Sequence, residues 1–188
     1  MNFLRPVLLS GLLLLLFGFA FPGLIWAFAQ LTPERAAGSP VVAQGRVVGF
    51  RYIGQKFTRA RYFQGRPSAV DYNAAATGAS NLSPTNPAFL AVAKARLDTF
   101  LLQNPGVTRA QVPAELLTAS GSGLDPDLSP AGALVQVARV ARARGLAPAR
   151  VAALVQAQTA GPWLGFVGPA HVGVLQLNLA LDALPAGR

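Results

Sequence analysis

A long apolar segment near the start of the chain is its most informative pattern. Residues 6–29 contain no charged side chain, and Ser10 is their only hydroxyl-bearing residue. A helix rises about 1.5 Å per residue, so this segment would extend roughly 36 Å, whereas the hydrocarbon core of a bilayer is about 30 Å thick. The pattern predicts a transmembrane helix over residues 6–29, after a short tail at 1–5 and before a juxtamembrane linker at 30–40.

A cleaved secretory signal is the alternative interpretation of this segment. Ala27-Phe28-Ala29, which precedes Gln30, matches the small-x-small cleavage pattern. The apolar region of a signal peptide is only about 7–15 residues long, however, and Trp26 is suited to the membrane–water interface. We therefore expect a retained anchor.

The segment that follows the linker favours β structure. Residues 41–57 alternate weakly between apolar and polar positions and are rich in β-branched and aromatic side chains. They predict one or two strands with a turn near Gly45. Residues 72–87 are rich in Asn, Ser, Gly and Pro and predict an irregular segment.

A capping residue followed by proline predicts two of the helix starts. Asn86-Pro87 and Ser129-Pro130 each place a good N-cap before a proline at the first helical position. The predicted helices cover, in order, residues 87–104, 113–118, 130–145, 148–160 and 172–184, the last with a strand as the alternative over part of its length. The sequence thus predicts an α+β protein, with one transmembrane helix and a single soluble domain at 41–188 that has a small N-terminal sheet and several C-terminal helices.

The positive charge of the chain comes mainly from arginine. The formal net charge is +9, which suits nucleic acid, anionic lipid or acidic partner surfaces. No nucleic-acid-binding motif accompanies it, so we expect membrane lipids as partners and no nucleic acid. On the helix from residue 130, Arg139, Arg142 and Arg144 lie off the apolar stripe and predict a solvated face.

Residues suited to catalysis or metal binding are scarce. The chain has no cysteine, one histidine and seven carboxylates, so thiolate metal sites and disulfides are excluded. His171 has no G-x-S-x-G motif to accompany it and no second histidine at metal-binding spacing. Asp125 and Asp127 could bind a hard cation or act as acid and base, but closing the turn before Pro130 is the simpler role. We predict no catalytic and no metal-binding residue.

Two loops rich in Gly, Ser and Asn, at 78–86 and 118–129, lead into predicted helix starts. Backbone N–H groups at a helix N-terminus favour anions, so phosphate binding is physically feasible there. Neither loop contains the G-x-x-x-x-G-K-[ST] phosphate-binding pattern. As a nucleotide motif this signal is weak.

Five ordered segments resemble one known family. They read IGQKF at 53–57, YFQGRPS at 62–68, SNLSPTNP at 80–87, TASGSGLDP at 118–126 and LNLALD at 177–182. They are similar, in the same order, to segments of the C subunit (KdpC) of the bacterial Kdp potassium-transporting ATPase. The resemblance extends from about residue 50 to the end of the chain, behind an N-terminal span.

The resemblance implies a non-catalytic accessory and assembly subunit of an ATP-driven, high-affinity potassium uptake complex. Its implied partners are a catalytic P-type ATPase subunit and a potassium-channel-like subunit. It implies a single-pass protein of the inner membrane with a cytoplasmic N-terminus and an exported C-terminal domain. It also implies that the chain raises the ATP affinity of the catalytic subunit, so ATP is the one cofactor to consider.

Loop residues with oxygen groups are the candidates for contact with a partner or with the potassium route. They are Asn81, Thr85, Asn86, Ser120, Ser122 and Asp125. The alternative is that these side chains only build turns. A different function, a membrane-anchored extracytoplasmic hydrolase or ligand-binding domain unrelated to transport, would require chemistry from His171 or from the aspartate pair.

Overall fold

The computed structural model describes residues 3–185, so parts of the predicted tail and of the domain's C-terminus lie outside the described range. The chain divides into two compact units, Met1–Pro40 and Val41–Arg188. The first contains one continuous helix, Leu4–Ala29. It comprises α1 (Leu4–Leu15), a π-helical turn (Leu16–Ala20) and α2 (Phe21–Ala29), and the short helix α3 (Pro33–Ala36) follows.

The helix Leu4–Ala29, which we call the anchor helix, buries none of its residues within its own chain. Within residues 3–185 it is the one helix long and apolar enough to cross a membrane. A helix bonds its backbone polar groups internally, which is what a bilayer requires of a spanning segment. The helix begins at Leu4, so it includes Arg5, which the sequence pattern had assigned to the tail.

The second unit begins with the predicted pair of strands. β1 (Pro40–Ala43) and β2 (Arg46–Phe50) form a two-stranded sheet. Gln44 and Gly45 connect them with φ angles of 51° and 74°. Positive φ at both central residues suits the twist of a tight hairpin. The predicted turn near Gly45 is confirmed.

Helices dominate the remainder of this unit. They are α4 (Pro87–Gln103), α5 (Pro130–Leu134), α6 (Val137–Arg144), α7 (Pro148–Ala157) and α8 (Val174–Asp182), with 3-10 turns at Arg109–Gln111 and Ala114–Leu116. The predicted caps are confirmed: Asn86 Oδ1 accepts from the Ala88 N–H at 2.8 Å, and Ser129 Oγ accepts from the Gly132 N–H at 3.0 Å. The predicted helix at 113–118 is only a 3-10 turn.

A second sheet was not predicted from the sequence. β3 (Asp127–Leu128), β5 (His171–Gly173) and β4 (Thr159–Ala160) lie in that order and pair antiparallel. Strands of two or three residues are too short to show a period of two. Over residues 172–184, β5 confirms the strand that was the alternative for part of the segment, and α8 confirms the helix over most of the rest.

The main core lies between α6, α7 and α8. Its fully buried members include Phe63, Val140, Val151, Leu177 and Leu181. A second cluster gathers Phe100, Leu116, Leu128 and Val174. Phe63 belongs to no helix or strand, so an irregular segment contributes to the centre of the domain.

The prediction of a solvated face is confirmed for Arg142, which is exposed. It is wrong for Arg139 and for Arg144, whose side chain is 7% exposed. Arg139 is 3% exposed, whereas Leu134, predicted for the apolar stripe, is 40% exposed.

The predicted single helix is broken between α5 and α6. Val137 and Ala141, at helical spacing from Leu134, are nonetheless buried. The buried face of α6 therefore includes the predicted stripe and extends to Arg139.

Candidate functional site

An irregular segment at 58–68 passes through the core, and buried side chains satisfy its backbone. Asn178 bonds both the N–H and the C=O of Phe63 at 2.9 Å. Gln136 does the same for Gln64, accepting from its N–H at 2.9 Å and donating to its C=O at 3.0 Å. Because buried backbone groups require partners, these two amides take the place of neighbouring strands.

Arg139 bonds the N-terminal part of the same segment. Its guanidinium donates to the carbonyls of Ala60 and Tyr62, at 2.7 and 3.0 Å, and to the side chains of Asn104 and Gln136, at 3.0 and 2.6 Å. Burial lowers the pKa of Arg139 to about 10, so the side chain remains charged near neutral pH. Its acceptors are all neutral oxygens, so the buried cation organises the backbone and has no carboxylate partner here.

The two Gly- and Ser-rich loops meet in the structure. The Gly78 N–H donates to the Ser122 carbonyl at 2.9 Å. The segment at 53–57 also contacts the second loop, since the Gly54 N–H donates to the Leu124 carbonyl at 2.7 Å. Gly123 has a φ of +72°, and a Cβ there would lie 3.0 Å from the carbonyl oxygen of Gly78. The loops therefore pack backbone to backbone, which requires glycine at the contact.

A cavity of about 450 Å³ opens beside this contact, and we call it the paired-loop cavity. Its lining residues are Tyr52, Ile53, Arg66, Thr77, Ser120, Gly121, Ser122, Leu124, Asp125 and Pro126. Arg66 Nη1 and Asp125 Oδ2 form an ion pair at 2.9 Å in its wall. The one cation and the one carboxylate of this lining are thus paired with each other.

The structure brings together only some of the six predicted loop residues. Ser120, Ser122 and Asp125 line the paired-loop cavity, whereas Asn81, Thr85 and Asn86 do not.

Most of these side chains make turn contacts. Asp125 Oδ1 accepts from the Asp127 N–H at 3.0 Å, and Ser122 Oγ accepts from the Leu124 N–H at 3.1 Å. Thr85 Oγ1 lies 3.0 Å from Ser83 Oγ. These oxygens take part in local hydrogen bonds, as turn-building residues do.

A second cavity, of about 740 Å³, contains Glu115, Asp127 and His171. Burial is the main cause that raises the pKa of the Asp127 carboxyl, the charge of Asp125 raises it further, and His171 opposes both. Within residues 3–185 no hydrogen bond joins Asp127 to His171, and no group of three or more potential ligands is placed to hold a metal ion. The cavity therefore lacks the geometry of a catalytic dyad.

The start of α5 carries its own anion. The Glu115 carboxylate accepts from the Ser129 N–H at 3.1 Å and from the Ser129 hydroxyl at 2.6 Å. A helix N-terminus favours negative charge, and here a side chain of the same chain supplies it. The position where the sequence allowed a phosphate is thus filled by Glu115.

Sequence reasoning missed the residues that organise the domain, namely Arg66, Gln136, Arg139 and Asn178. The signal available for Arg66 was its place in the YFQGRPS motif at 62–68. Asn178 lies likewise in the LNLALD motif at 177–182. For Gln136 and Arg139 the only signal was negative, because no partner of opposite charge lies at helical spacing from Arg139.

The fold and the site define a single-span membrane protein. Most polar side chains of its domain discussed above are hydrogen-bonded within the domain, and the described residues form no catalytic dyad or metal site. Residues 3–183 match the family described as "KdpC: K+-transporting ATPase, c chain", so the chain belongs to this family. The chain is accordingly an accessory, non-catalytic subunit of a potassium-transporting ATPase complex. The alternative of an unrelated hydrolase or ligand-binding domain is not supported.

Similar proteins match along almost their entire length. The potassium-transporting ATPase KdpC subunit of Polaromonas naphthalenivorans is 52% identical over 188 residues, which cover 97% of this chain and 95% of that protein. The subunit of the same name in Flavobacterium psychrophilum is 46% identical over 183 residues, covering 97% and 98%. That of Variovorax paradoxus is 50% identical over 192 residues, covering 100% and 99%.

Proposed function

We propose that the chain assembles the pump by packing its anchor helix against two partners, the catalytic P-type subunit and the channel-like subunit. The observation that carries this proposal is the anchor helix Leu4–Ala29, which buries no residue in its own chain. Such a surface must be covered by lipid or by other spanning helices. In this arrangement the helix crosses the inner membrane with a cytoplasmic N-terminus, and the domain lies on the exported side.

The proposal treats the effect on ATP affinity as indirect. ATP is cytoplasmic, and the domain is placed on the opposite side of the membrane. The domain's own side chains already occupy the positions where a phosphate could bind. Glu115 accepts from the Ser129 N–H at the start of α5, and Arg66 is paired with Asp125. An accessory subunit raises the affinity of its partner if it stabilises the nucleotide-binding conformation of that partner.

The paired-loop cavity is proposed as part of the surface that faces a partner. Ser120, Ser122 and Asp125 lie in its lining. Because Arg66 neutralises Asp125 at 2.9 Å, the cavity has no unpaired carboxylate to concentrate K⁺. We therefore assign it to contact with the channel-like subunit rather than to ion capture.

Co-purification tests the role of the anchor helix. The chain is expressed with the other pump subunits, either intact, without residues 1–30, or with residues 4–29 replaced by an unrelated spanning helix of the same orientation. Loss of association in both altered forms is expected. If the unrelated helix restores association, the helix only tethers the domain; if the truncated chain still associates, assembly does not need the span at all.

Cysteine labelling tests the sidedness of the domain. The chain has no cysteine, so one introduced thiol gives an unambiguous signal. Ser80→Cys, on an exposed loop, is expected to react with a membrane-impermeant maleimide in intact spheroplasts. Phe3→Cys, at the N-terminal end of the anchor helix, should react only after permeabilisation. The reversed pattern would place the domain in the cytoplasm.

A further inference from the structure

A short hairpin at 163–167 exposes four large apolar side chains at one point of the domain. Trp163, Leu164, Phe166 and Val167 are 69%, 66%, 78% and 44% exposed. From residue 151 to 170 the sequence contains no charged side chain. Exposed apolar residues scattered singly are normal on protein surfaces, but four at one tip require an explanation.

Most backbone N–H groups of this tip donate to carbonyls of residues 162–167. The N–H of Trp163 donates to the carbonyl of Val167 at 2.9 Å, and the N–H of Val167 donates back to Trp163 at 2.9 Å. Gly165 donates to Pro162 at 3.0 Å, and Phe166 donates to Trp163 at 3.3 Å. Unbonded backbone groups are what normally exclude a loop from hydrocarbon, and this tip has bonded four of its five N–H groups.

We propose that the hairpin at 163–167 inserts its tip into the membrane–water interface of the lipid bilayer. The domain is covalently tethered to the anchor helix, which keeps the local lipid concentration high. Trp is enriched at the membrane–water interface, and Trp, Phe and Leu form the apolar face of segments that lie in it. A protein partner fits less well, since a standard interface buries about 800 Å² per partner and a tip of five residues offers much less.

The inference rests on the anchor helix and does not require the assembly proposed above. If the tip does not enter lipid, co-purification with the pump subunits is unaffected. The two proposals therefore fail separately.

Fluorescence of Trp163 tests the insertion directly. The chain has two tryptophans, so Trp26→Phe leaves Trp163 as the sole reporter. The full chain is placed in phosphatidylcholine nanodiscs, with or without bromine near the top of the acyl chains. We expect a blue-shifted emission and a loss of intensity in the brominated lipid. Emission typical of water, or a blue shift that bromine does not quench, would overturn the proposal, the latter by indicating cover by a second protein copy.

Two further variants control for folding and for general proximity to lipid. Leu102 on α4 is 84% exposed, so Trp26→Phe, Trp163→Phe, Leu102→Trp moves the reporter to another apolar surface position. It should emit as in water, and equal quenching there would show that insertion is not specific to the tip. Leu164→Ser with Phe166→Ser, in the Trp26→Phe background, should shift Trp163 to the red while the far-ultraviolet circular dichroism stays unchanged.

Discussion

The side chain of Asn178 pairs with the backbone of Phe63 through two hydrogen bonds of 2.9 Å, one in each direction. The two residues are 115 positions apart, and both are buried. An amide side chain has both a donating NH2 group and an accepting oxygen, so it can present the same pair of bonds that a neighbouring strand would present. Asn178 on α8 thus secures an irregular segment that no strand accompanies at this point.

Asn178→Leu should destabilise the domain by about 2–5 kcal/mol, because two buried backbone groups of Phe63 would lose their partners. Urea unfolding of the full chain in detergent, followed by near-ultraviolet circular dichroism, measures the change. Asn73→Ala is the control, since Asn73 makes an exposed local bond to the Ala75 N–H, and it should cost about 1 kcal/mol or less. Equal effects of the two variants would show that the paired amide has no special role.

Arg139→Lys should cost about 2–4 kcal/mol, because a lysine ammonium cannot reproduce the planar guanidinium that reaches four acceptors. The same unfolding measurement applies. Arg142→Lys on the exposed side of α6 keeps the charge and should leave stability nearly unchanged. If Arg139→Lys unfolded at the same urea concentration as the wild type, Arg139 would not be the residue that stabilises the backbone of residues 60–62.

Gly54→Ala should destabilise the domain by about 1–3 kcal/mol, as overpacked sites do. A Cβ at Gly54 would lie 2.5 Å from the Asp125 carbonyl oxygen and 3.0 Å from backbone carbon atoms of the same loop. Backbone cannot rotate away as a flexible side chain can, so the contact between the segments must open. Gly121→Ala, with nothing within 4 Å of the added carbon, should remain within about 0.5 kcal/mol of wild type. If both variants lost a comparable amount of stability, the cause would be the flexibility of glycine rather than the close contact between Gly54 and the Asp125 backbone.

Asp127→Asn should be more stable than the wild type at neutral pH, and this advantage should disappear in acid. Burial raises the folded-state pKa of Asp127 above its usual 3.8. Between 3.8 and the higher folded pKa the native state holds more protons than the unfolded state, so wild-type stability falls as pH rises through that window. Asparagine cannot ionise and avoids this loss.

Unfolding curves collected from pH 3 upward, in about unit steps, follow the difference between Asp127→Asn and the wild type. Asp98→Asn, at an exposed position on α4, removes the same formal charge. A change in unfolding free energy that both variants share reports the loss of a net charge. Only the additional change in Asp127→Asn reports the burial of Asp127. A difference that grows in acid would have the wrong sign and would refute the prediction.

Gly11→Leu should weaken assembly with the pump subunits without disturbing the chain itself. An added Cβ at Gly11 meets nothing within 4 Å in its own chain, so a defect must arise at a neighbouring helix. Co-purification yield measures the effect. Ser10→Leu adds bulk about 100° around the same helix and serves as the control. If neither variant lowers the yield, the partner helix does not approach the face that carries Gly11.

Local chemistry accounts for what the sequence predicted well. The anchor helix follows from hydrophobicity and length alone, and the starts of α4 and α5 follow from Asn86-Pro87 and Ser129-Pro130, whose capping bonds span only two or three residues. The turn at Gly45 follows from a glycine between two apolar stretches. The family was indicated by motif order, which needs no structure.

The tertiary structure decided the features that depend on contacts distant in the chain. It placed Arg139 in the core, because acceptors on residues 60, 62, 104 and 136 surround its guanidinium. It joined the loops at Gly78 and Ser122, and it formed the sheet β3-β5-β4 from strands too short for any periodicity. A hydrogen bond between residues 115 positions apart leaves no trace in local composition. The sequence by itself therefore determined the anchor helix, the helix caps and the family. Packing alone decided which polar groups meet inside the domain.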